Sequence, residues 1–369
     1  MALVLYRKYR PKKFSEVIGQ KHVVQILQNE IRQDKLAHAY LFAGPRGIGK
    51  TTIARILAKT INCEKIQTNS SFREKAEPCN VCSICQEIDS GRSFDLIEID
   101  AASNRGINEI RELRERVRFP PTRSKYKVFI IDEVHMLTPE AFNALLKTLE
   151  EPPVYVVFIL ATTEIYKVPE TIVSRCQSFN FGKVDSLEII KRLKEIVKKE
   201  GIEVDDGVIQ NIVYRSEGCV RDAESLLSQI LSFDGKKITL AQAELVLPST
   251  QINYILKLLE NLVKNDTRAA IELVGELSEN GVDLQQFIKD LIEVLRKILL
   301  LQVGLDAKEA LIEFDDRTKE RLQKLAKLIE IKNLVRIIEN FIWAQENLDY
   351  AEIPQLPIEL AIIKICSPD

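Results

Sequence analysis

Residues 38–52 read HAYLFAGPRGIGKTT, and the fold turns on them. A short apolar run ends in turn residues, GPRGIGKT at 44–51 satisfies G-x-x-x-x-G-K-[ST], and a helical pattern, KTTIARILAKTI at 50–61, follows at once. Strand, glycine-rich loop and helix are the context in which that spacing grips phosphate. Glycines let successive N–H groups curl around phosphate oxygens without a Cβ in the way, and the helix N-terminus adds its dipole. The expectation is a nucleotide cradle made by Gly44, Pro45, Arg46, Gly47, Ile48 and Gly49. Lys50 reaches the β- and γ-phosphates, and Thr51 holds magnesium.

Outward from that loop, the first half alternates strands and helices. DLIEID (95–100), KVFIID (127–132) and YVVFILATT (155–163) are, like HAYLFAGP, short apolar runs suited to central strands of a buried parallel sheet. INEIRELRERVRF (107–119) and PEAFNALLKTLEE (139–151) have helical periodicity, so the pattern predicts an α/β domain with helices on both faces. KVFIIDEVHML delivers Asp132 and Glu133 to the C-terminal end of a strand, where open α/β sheets bind ligands. Asp132 suits magnesium, directly or through water, and Glu133 suits the base that polarises an attacking water. FILATTE ends a further strand in Thr162 and Thr163; either could face the γ-phosphate or that water, although threonines end many strands. His135 reads as a packing or capping residue and is given no role.

The cysteines form a second cluster. Cys79, Cys82 and Cys85 make C-x2-C-x2-C, and Cys63 lies sixteen residues before them. Four thiolates suit tetrahedral zinc, which would staple a loop too small to bury a core of its own. A bacterial iron–sulfur pattern expects a nearby fourth cysteine followed by proline, and here the fourth is far upstream. Four thiolates leave no open coordination position, so the site reads as structural. Cys176, Cys219 and Cys366 are scattered and read as packed.

Composition sets the outer bounds. The 369 residues predict two or three domains, and 46% hydrophobic with 29% charged residues is ordinary for a globular protein. A net charge of −2 requires any nucleic-acid contact to come from a local basic patch. MALVLYRKYRPKKF has no apolar targeting segment, and no run approaches the ~18 apolar residues of a membrane span. These features point to a cytoplasmic protein with reduced thiols or a metal rather than disulfides. From Ser186 onward nearly everything has helical periodicity. The reading is a nucleotide-binding domain over 1–178 with a zinc module at 63–85, a small helical lid over 179–247, and, beyond the polar stretch LPSTQ (247–251), an all-α domain over 248–369.

Together GPRGIGKT, DEVH, ATTE, SRC at 174–176 and the four-cysteine insert resemble the γ/τ subunits of the bacterial DNA polymerase III clamp loader, a family of AAA+ ATPases. The likeness runs from YRPKKFSEVIGQ (9–20) to PIELAIIKIC, near the end of the chain. It implies a clamp loader subunit that binds and hydrolyses ATP with magnesium to open a ring-shaped sliding clamp and close it on primed DNA. It also implies a C-terminal collar for oligomerisation and an assembly with δ, δ′ and further γ/τ copies. By resemblance Arg221, in GCVRDAESLL, ties the lid to the γ-phosphate, Thr163 is the sensor on the sheet, and residues 17–20 line the adenine pocket with Tyr9, Arg10 and Pro11 nearby. Without the resemblance, Arg221 is equally a surface salt-bridge residue. The spacer from Cys63 to Cys79 is longer than the family pattern leads one to expect, and ASNRGIN (102–108) is less basic, which leaves DNA phosphate contacts to Asn104, Arg105 and Lys147.

Arg175 in TIVSRCQSF is the remaining cation. It follows the YVVFILATT strand and a short helix, so it should lie toward the flank of the domain, out of reach of its own ATP. The reading is an arginine finger supplied in trans to a neighbour's nucleotide; the other reading is a surface arginine paired with a nearby acid. Two rival functions remain in view. A nucleotide-gated scaffold subunit is opposed by the complete set Lys50, Thr51, Asp132 and Glu133. Another AAA+ machine, such as a branch-migration motor or an unfoldase, is the second; an unfoldase pore element of aromatic, hydrophobic and glycine residues does not follow the second strand. No polymerase carboxylate set is apparent.

Overall fold

In the computed structural model, which describes residues 4–232, 237–243, 250–306, 311–312, 314 and 316–367, alternate side chains of the central strands enter two different cores. That is why those strands read as unbroken apolar runs. The strands are β1 (Ala39–Ala43), β2 (Leu96–Asp100), β3 (Lys127–Asp132), β4 (Val156–Thr162) and β5 (Gln177–Asn180), in the spatial order β2-β3-β4-β1-β5. All four pairings are parallel. Tyr40, Phe42, Val128, Ile130, Val157 and Ile159 face one core, shared with the helices Lys21–Gln33 and Lys50–Ile61. Ala39, Leu41, Phe129, Ile131, Phe158 and Leu160 face the other, filled by the helices Ile107–Val117 and Pro139–Glu150. The second of these starts cleanly because Pro139 sits at its first turn and the Thr138 hydroxyl accepts the Ala141 N–H.

Three expectations about this part change. DLIEID is an edge strand, not a central one: in β2, Glu98 and Asp100 are exposed and the apolar residues only half buried. A domain boundary at 178 would cut β5, and both Phe179 and Phe181 belong to the sheet's core. The cysteine insert does have a core, because it shares one. Ile66, Ala76, Ile84 and Ile88 are buried in the same cluster as Phe14, Leu57 and Ile61.

Contacts divide the chain into two compact units, Met1–Ile196 with Ser216–Ser228, and Val197–Arg215 with Gln229–Asp369. Among the described residues the regular structure of the second is helical apart from a two-residue parallel ladder, β6 (Glu203–Val204) with β7 (Lys237–Ile238), which periodicity did not predict. Its long helices are Thr250–Val263, Thr267–Glu279, Leu284–Gln302, Asp316–Leu328, Ile331–Leu348 and Leu356–Cys366. They bury one apolar core that includes Leu259, Phe287, Leu291, Leu322, Phe341 and Ile362. Asp266 and Asp283 cap two of them through their side chains. Of the expected linker, 247–249 lie outside the described residues, whereas Thr250 and Gln251 begin a helix. Among the described residues no helix is long and apolar enough to cross a membrane.

Candidate functional site

The loop between β1 and the helix Lys50–Ile61 needs glycine where the sequence has it. Gly49, at the helix N-cap, has φ 107°, and Gly47 has φ 74° with Cys219 Sγ only 2.1 Å from where a Cβ would stand. Lys50, 5% exposed, donates from Nζ to the carbonyls of Gly44 (2.6 Å) and Pro45 (2.7 Å). Burial lowers its pKa, and the nearby charges of Glu133 and Asp132 partly offset this. Pro45 and Arg46 are exposed at the loop tip, and Ile48 is buried beneath it.

The strand order then does what the motif alone cannot. β4 lies beside β1 and β3 beside β4, so the ends of all three meet. Thr51 Oγ1 donates to Asp132 Oδ2 at 2.7 Å. Glu133 leaves the strand with φ 48°, a left-handed conformation that costs a non-glycine residue roughly 1–2 kcal/mol. Its N–H is held by Asp132 Oδ1 at 3.0 Å, and its Oε2 accepts from Thr163 N (3.2 Å) and Oγ1 (3.0 Å). Of the two threonines, Thr163 therefore touches the acid. Thr162 is fully buried and bonds His135 Nδ1 at 3.0 Å. His135, unassigned from sequence, also places Nδ1 3.4 Å from Glu133 and Nε2 3.1 Å from Glu164. No spacing rule pointed to it; only the adjacency of β3 and β4 joins these groups.

Arg221 lies at the same loop. Its backbone N–H donates to Gly47 O at 3.3 Å, and its guanidinium stacks over Tyr6 at 4.9 Å. Arg10, pushed down to about 10 chiefly by burial, donates to Thr52 Oγ1 at 3.3 Å. Tyr9 offers its carbonyl to Arg192, which is paired with buried Glu224 at 3.0 Å. Gln20 exchanges two hydrogen bonds with Gly182. Burial raises Cys176 to about 12 and Cys219 to about 11, as expected of packed thiols.

Arg175 is not brought to this cluster. It precedes β5, whose Gln177 pairs with Tyr40, so it stands at the end of the sheet where the strands begin. The phosphate loop is at the other end, roughly 13 Å further along β1 at ~3.3 Å per residue. β5 is an edge strand yet adjoins β1, so Arg175 is kept from its own loop by the length of the strand, not by lateral distance. It is ion-paired with Glu150 at 2.6 Å and donates to Thr171 O at 2.8 Å. Asn104 and Arg105 are tied to Asp100 O and Ala102 O, and Arg105 and Lys147 are exposed.

Cys63, Cys79, Cys82 and Cys85 come together with all sulfurs within 4.8 Å of one another. The N–H groups of Val81 and Cys82 point at Cys79 Sγ (3.4 and 3.2 Å), and that of Cys79 at Cys63 Sγ (3.4 Å). Cys63 is held well below the usual thiol range, first by the Cys85 thiol and then by backbone N–H groups. Cys79 and Cys85 sulfurs are 3.9 Å apart, close to the ~3.8 Å edge of a tetrahedron with metal–sulfur bonds of ~2.3 Å. The group fits a metal ion.

Residues 19–185 match the family model described as DNA polymerase III, delta subunit, and residues 238–369 match DNA polymerase III subunits gamma and tau domain III. The chain is 42% identical over 98% of its length to DNA polymerase III subunit tau of Bacillus subtilis, covering 63% of that protein. It is 36% identical to subunit tau of Escherichia coli, covering 55% of it, and 35% identical to subunit gamma of Buchnera aphidicola, covering 98% of it. The chain thus spans little more than half of the tau relatives and nearly the whole of the gamma relative. Among solved structures it is similar to the clamp loader delta protein of Bacillus subtilis (14% identity, 93% of this chain and 99% of that one, TM-score 0.39). It is also similar to the RuvB Holliday junction branch migration motor of Thermotoga maritima (17% identity, 74% and 86%, TM-score 0.48). Neither structural likeness bears on function at these values. The sequence matches are of another order, and by them this chain belongs to the gamma/tau family of DNA polymerase III subunits.

Proposed function

We propose that this chain is an AAA+ ATPase subunit of a clamp loader, which uses ATP binding and hydrolysis to place a ring-shaped sliding clamp on primed DNA. The observation that carries the reading is the convergence of Lys50, Thr51, Asp132, Glu133 and Thr163 at the ends of β1, β3 and β4. Lys50 exchanges loop carbonyls for β- and γ-phosphate oxygens. Magnesium held by Thr51 and Asp132 would neutralise charge on the transferred phosphoryl group. Glu133 orients the attacking water, and Thr163 sets where that carboxylate points. The backbone N–H of Arg221 already holds residues 216–228 to Gly47 O, which supports a role in which its guanidinium, now stacked on Tyr6, turns to report the γ-phosphate. The complete set of groups speaks against a nucleotide-gated scaffold. ATP hydrolysis measured in the assembled complex should rise with clamp and primed DNA together. Hydrolysis that ignores the clamp and rises only with branched DNA would favour a branch-migration motor.

The domain reading follows the family: a nucleotide domain, a helical lid and a C-terminal collar that assembles with δ, δ′ and other γ/τ copies. We move its first boundary past Phe181, since β5 runs to Asn180.

The cysteine cluster supports a structural zinc, one per chain. Elemental analysis of freshly reduced protein should give about one zinc, because four thiolates select it and close its coordination shell. Iron, or no metal at all, would remove the assignment. Cys82→Ser should lower Tm more than it lowers turnover per folded molecule.

Binding of the complex to primed DNA should weaken steeply with salt and vary little with base sequence. Phosphate contacts release counterions, and six to ten of them imply a ~10³–10⁵ loss of affinity between 50 and 200 mM salt. A strong preference for one sequence would contradict this. Arg105 and Lys147 are the exposed cations we assign to it.

A further inference from the structure

Glu77 lies two residues before Cys79, yet its carboxylate serves a distant part of the chain. Oε2 accepts the Phe14 N–H and Oε1 the Ser15 N–H, both at 2.8 Å, and Gln28 Nε2 adds a contact at 3.2 Å. Phe14 itself is 1% exposed, in the core it shares with Ile66, Ala76 and Ile84 of the cysteine module. A second link comes from Asp89, which ends the helix Ser83–Asp89. It pairs with buried Lys59 of the phosphate-loop helix at 2.7 Å and reaches Lys12 at 3.8 Å.

The stretch held in this way, residues 10–20, meets the phosphate-loop helix directly at one end and is linked to the strand before the loop through residues 181–182 at the other. Arg10 bonds Thr52, one residue past Thr51. Gln20 is locked to Gly182, and the neighbouring Phe181 donates to Ala43 O at 2.7 Å. The Phe181 carbonyl also stands 2.3 Å from where a Cβ on Gly44 would be. A nucleotide whose phosphates sit in the loop places its ribose and base against the segments beside it, and residues 10–20 are one of these.

The geometry points to Glu77 as a positioning residue for the nucleoside end of the nucleotide: through its two amide contacts the cysteine module fixes residues 10–20 in the conformation that receives ribose and base. This rests on the nucleotide-site reading given above. A carboxylate that accepts two backbone N–H groups makes charge-assisted bonds, stronger than those between neutral groups. Without them the stretch samples other conformations, and apparent affinity falls in proportion to the fraction that remains competent.

The test compares two ligands by calorimetry on the full chain: magnesium ATP, which has a nucleoside, and magnesium with inorganic triphosphate, which has none. Glu77→Ala should weaken ATP ~10-fold while triphosphate stays within ~2-fold, as a competent fraction near one tenth requires. Glu77→Gln keeps the volume and one acceptor, and should show a smaller loss with the same selectivity. Hydrogen exchange at Phe14 and Ser15 should accelerate in both variants while β1 and β3 amides stay protected, which also establishes that the fold is intact. Equal losses for the two ligands, or no loss in either variant, would overturn the role of Glu77. If the unaltered chain binds neither ligand, the nucleotide site itself falls, and this assignment with it.

Discussion

Replacing Arg175 by alanine is expected to leave ATP binding by the isolated chain near its original strength, while hydrolysis at the neighbouring subunit's site falls ~10³-fold or more, the scale of arginine fingers in GTPases. Arg175 stands at the end of the sheet opposite its own phosphate loop, with a whole strand between them. Its guanidinium is held toward the surface by Thr171 O and by Glu150, with a third of the side chain exposed. An exposed pair of this kind contributes ~0.2–1 kcal/mol, so exchanging Glu150 for a phosphoryl group whose charge is growing costs little. In a water-excluded interface the new contact is far stronger than the one given up. Mixed assemblies decide the matter. A chain carrying Arg175→Ala should fail to activate its neighbour's intact site, yet turn over its own ATP when the adjacent chain supplies a normal arginine. Damage confined to the mutated chain's own site would mean that the residue acts in cis or only pairs with Glu150.

Lys50→Ala and Glu133→Gln should separate binding from chemistry. Lys50 makes two short hydrogen bonds to loop carbonyls and is the only cation buried in the loop among the described residues. At ~1.5–3 kcal/mol for each hydrogen bond to a charged group, its loss should weaken ATP ~10²-fold or more. Glu133→Gln keeps the shape of the side chain and its contact with Thr163 while removing the charge that polarises water. ATP affinity should stay within a few-fold and turnover should fall ~10²–10⁴-fold, the range for a positioned base. Calorimetry and single-turnover hydrolysis read the two separately. The roles assigned to these residues do not survive if both variants lose binding alike.

By itself the sequence determined whatever is held within a few residues along the chain. The phosphate loop was legible because its strand, its glycines and its helix are contiguous, and the helix Lys50–Ile61 has the predicted bounds. Cys79, Cys82 and Cys85 were legible for the same reason, and so was the α/β character of strands buried on both faces. Tertiary structure decided everything that depends on which strands become neighbours. β1 is followed in the chain by β2 but pairs with β4, which pairs in turn with β3, and this puts Thr51 against Asp132 and Thr163 against Glu133. The three contacts of His135, the ion pair that occupies Arg175, the edge position of β2 and the hold of Glu77 on Phe14 and Ser15 arise in the same way. Periodicity records which face of an element is apolar, not which other face will cover it. That choice is made by packing and loop closure over tens of residues, where no local pattern carries the pairing.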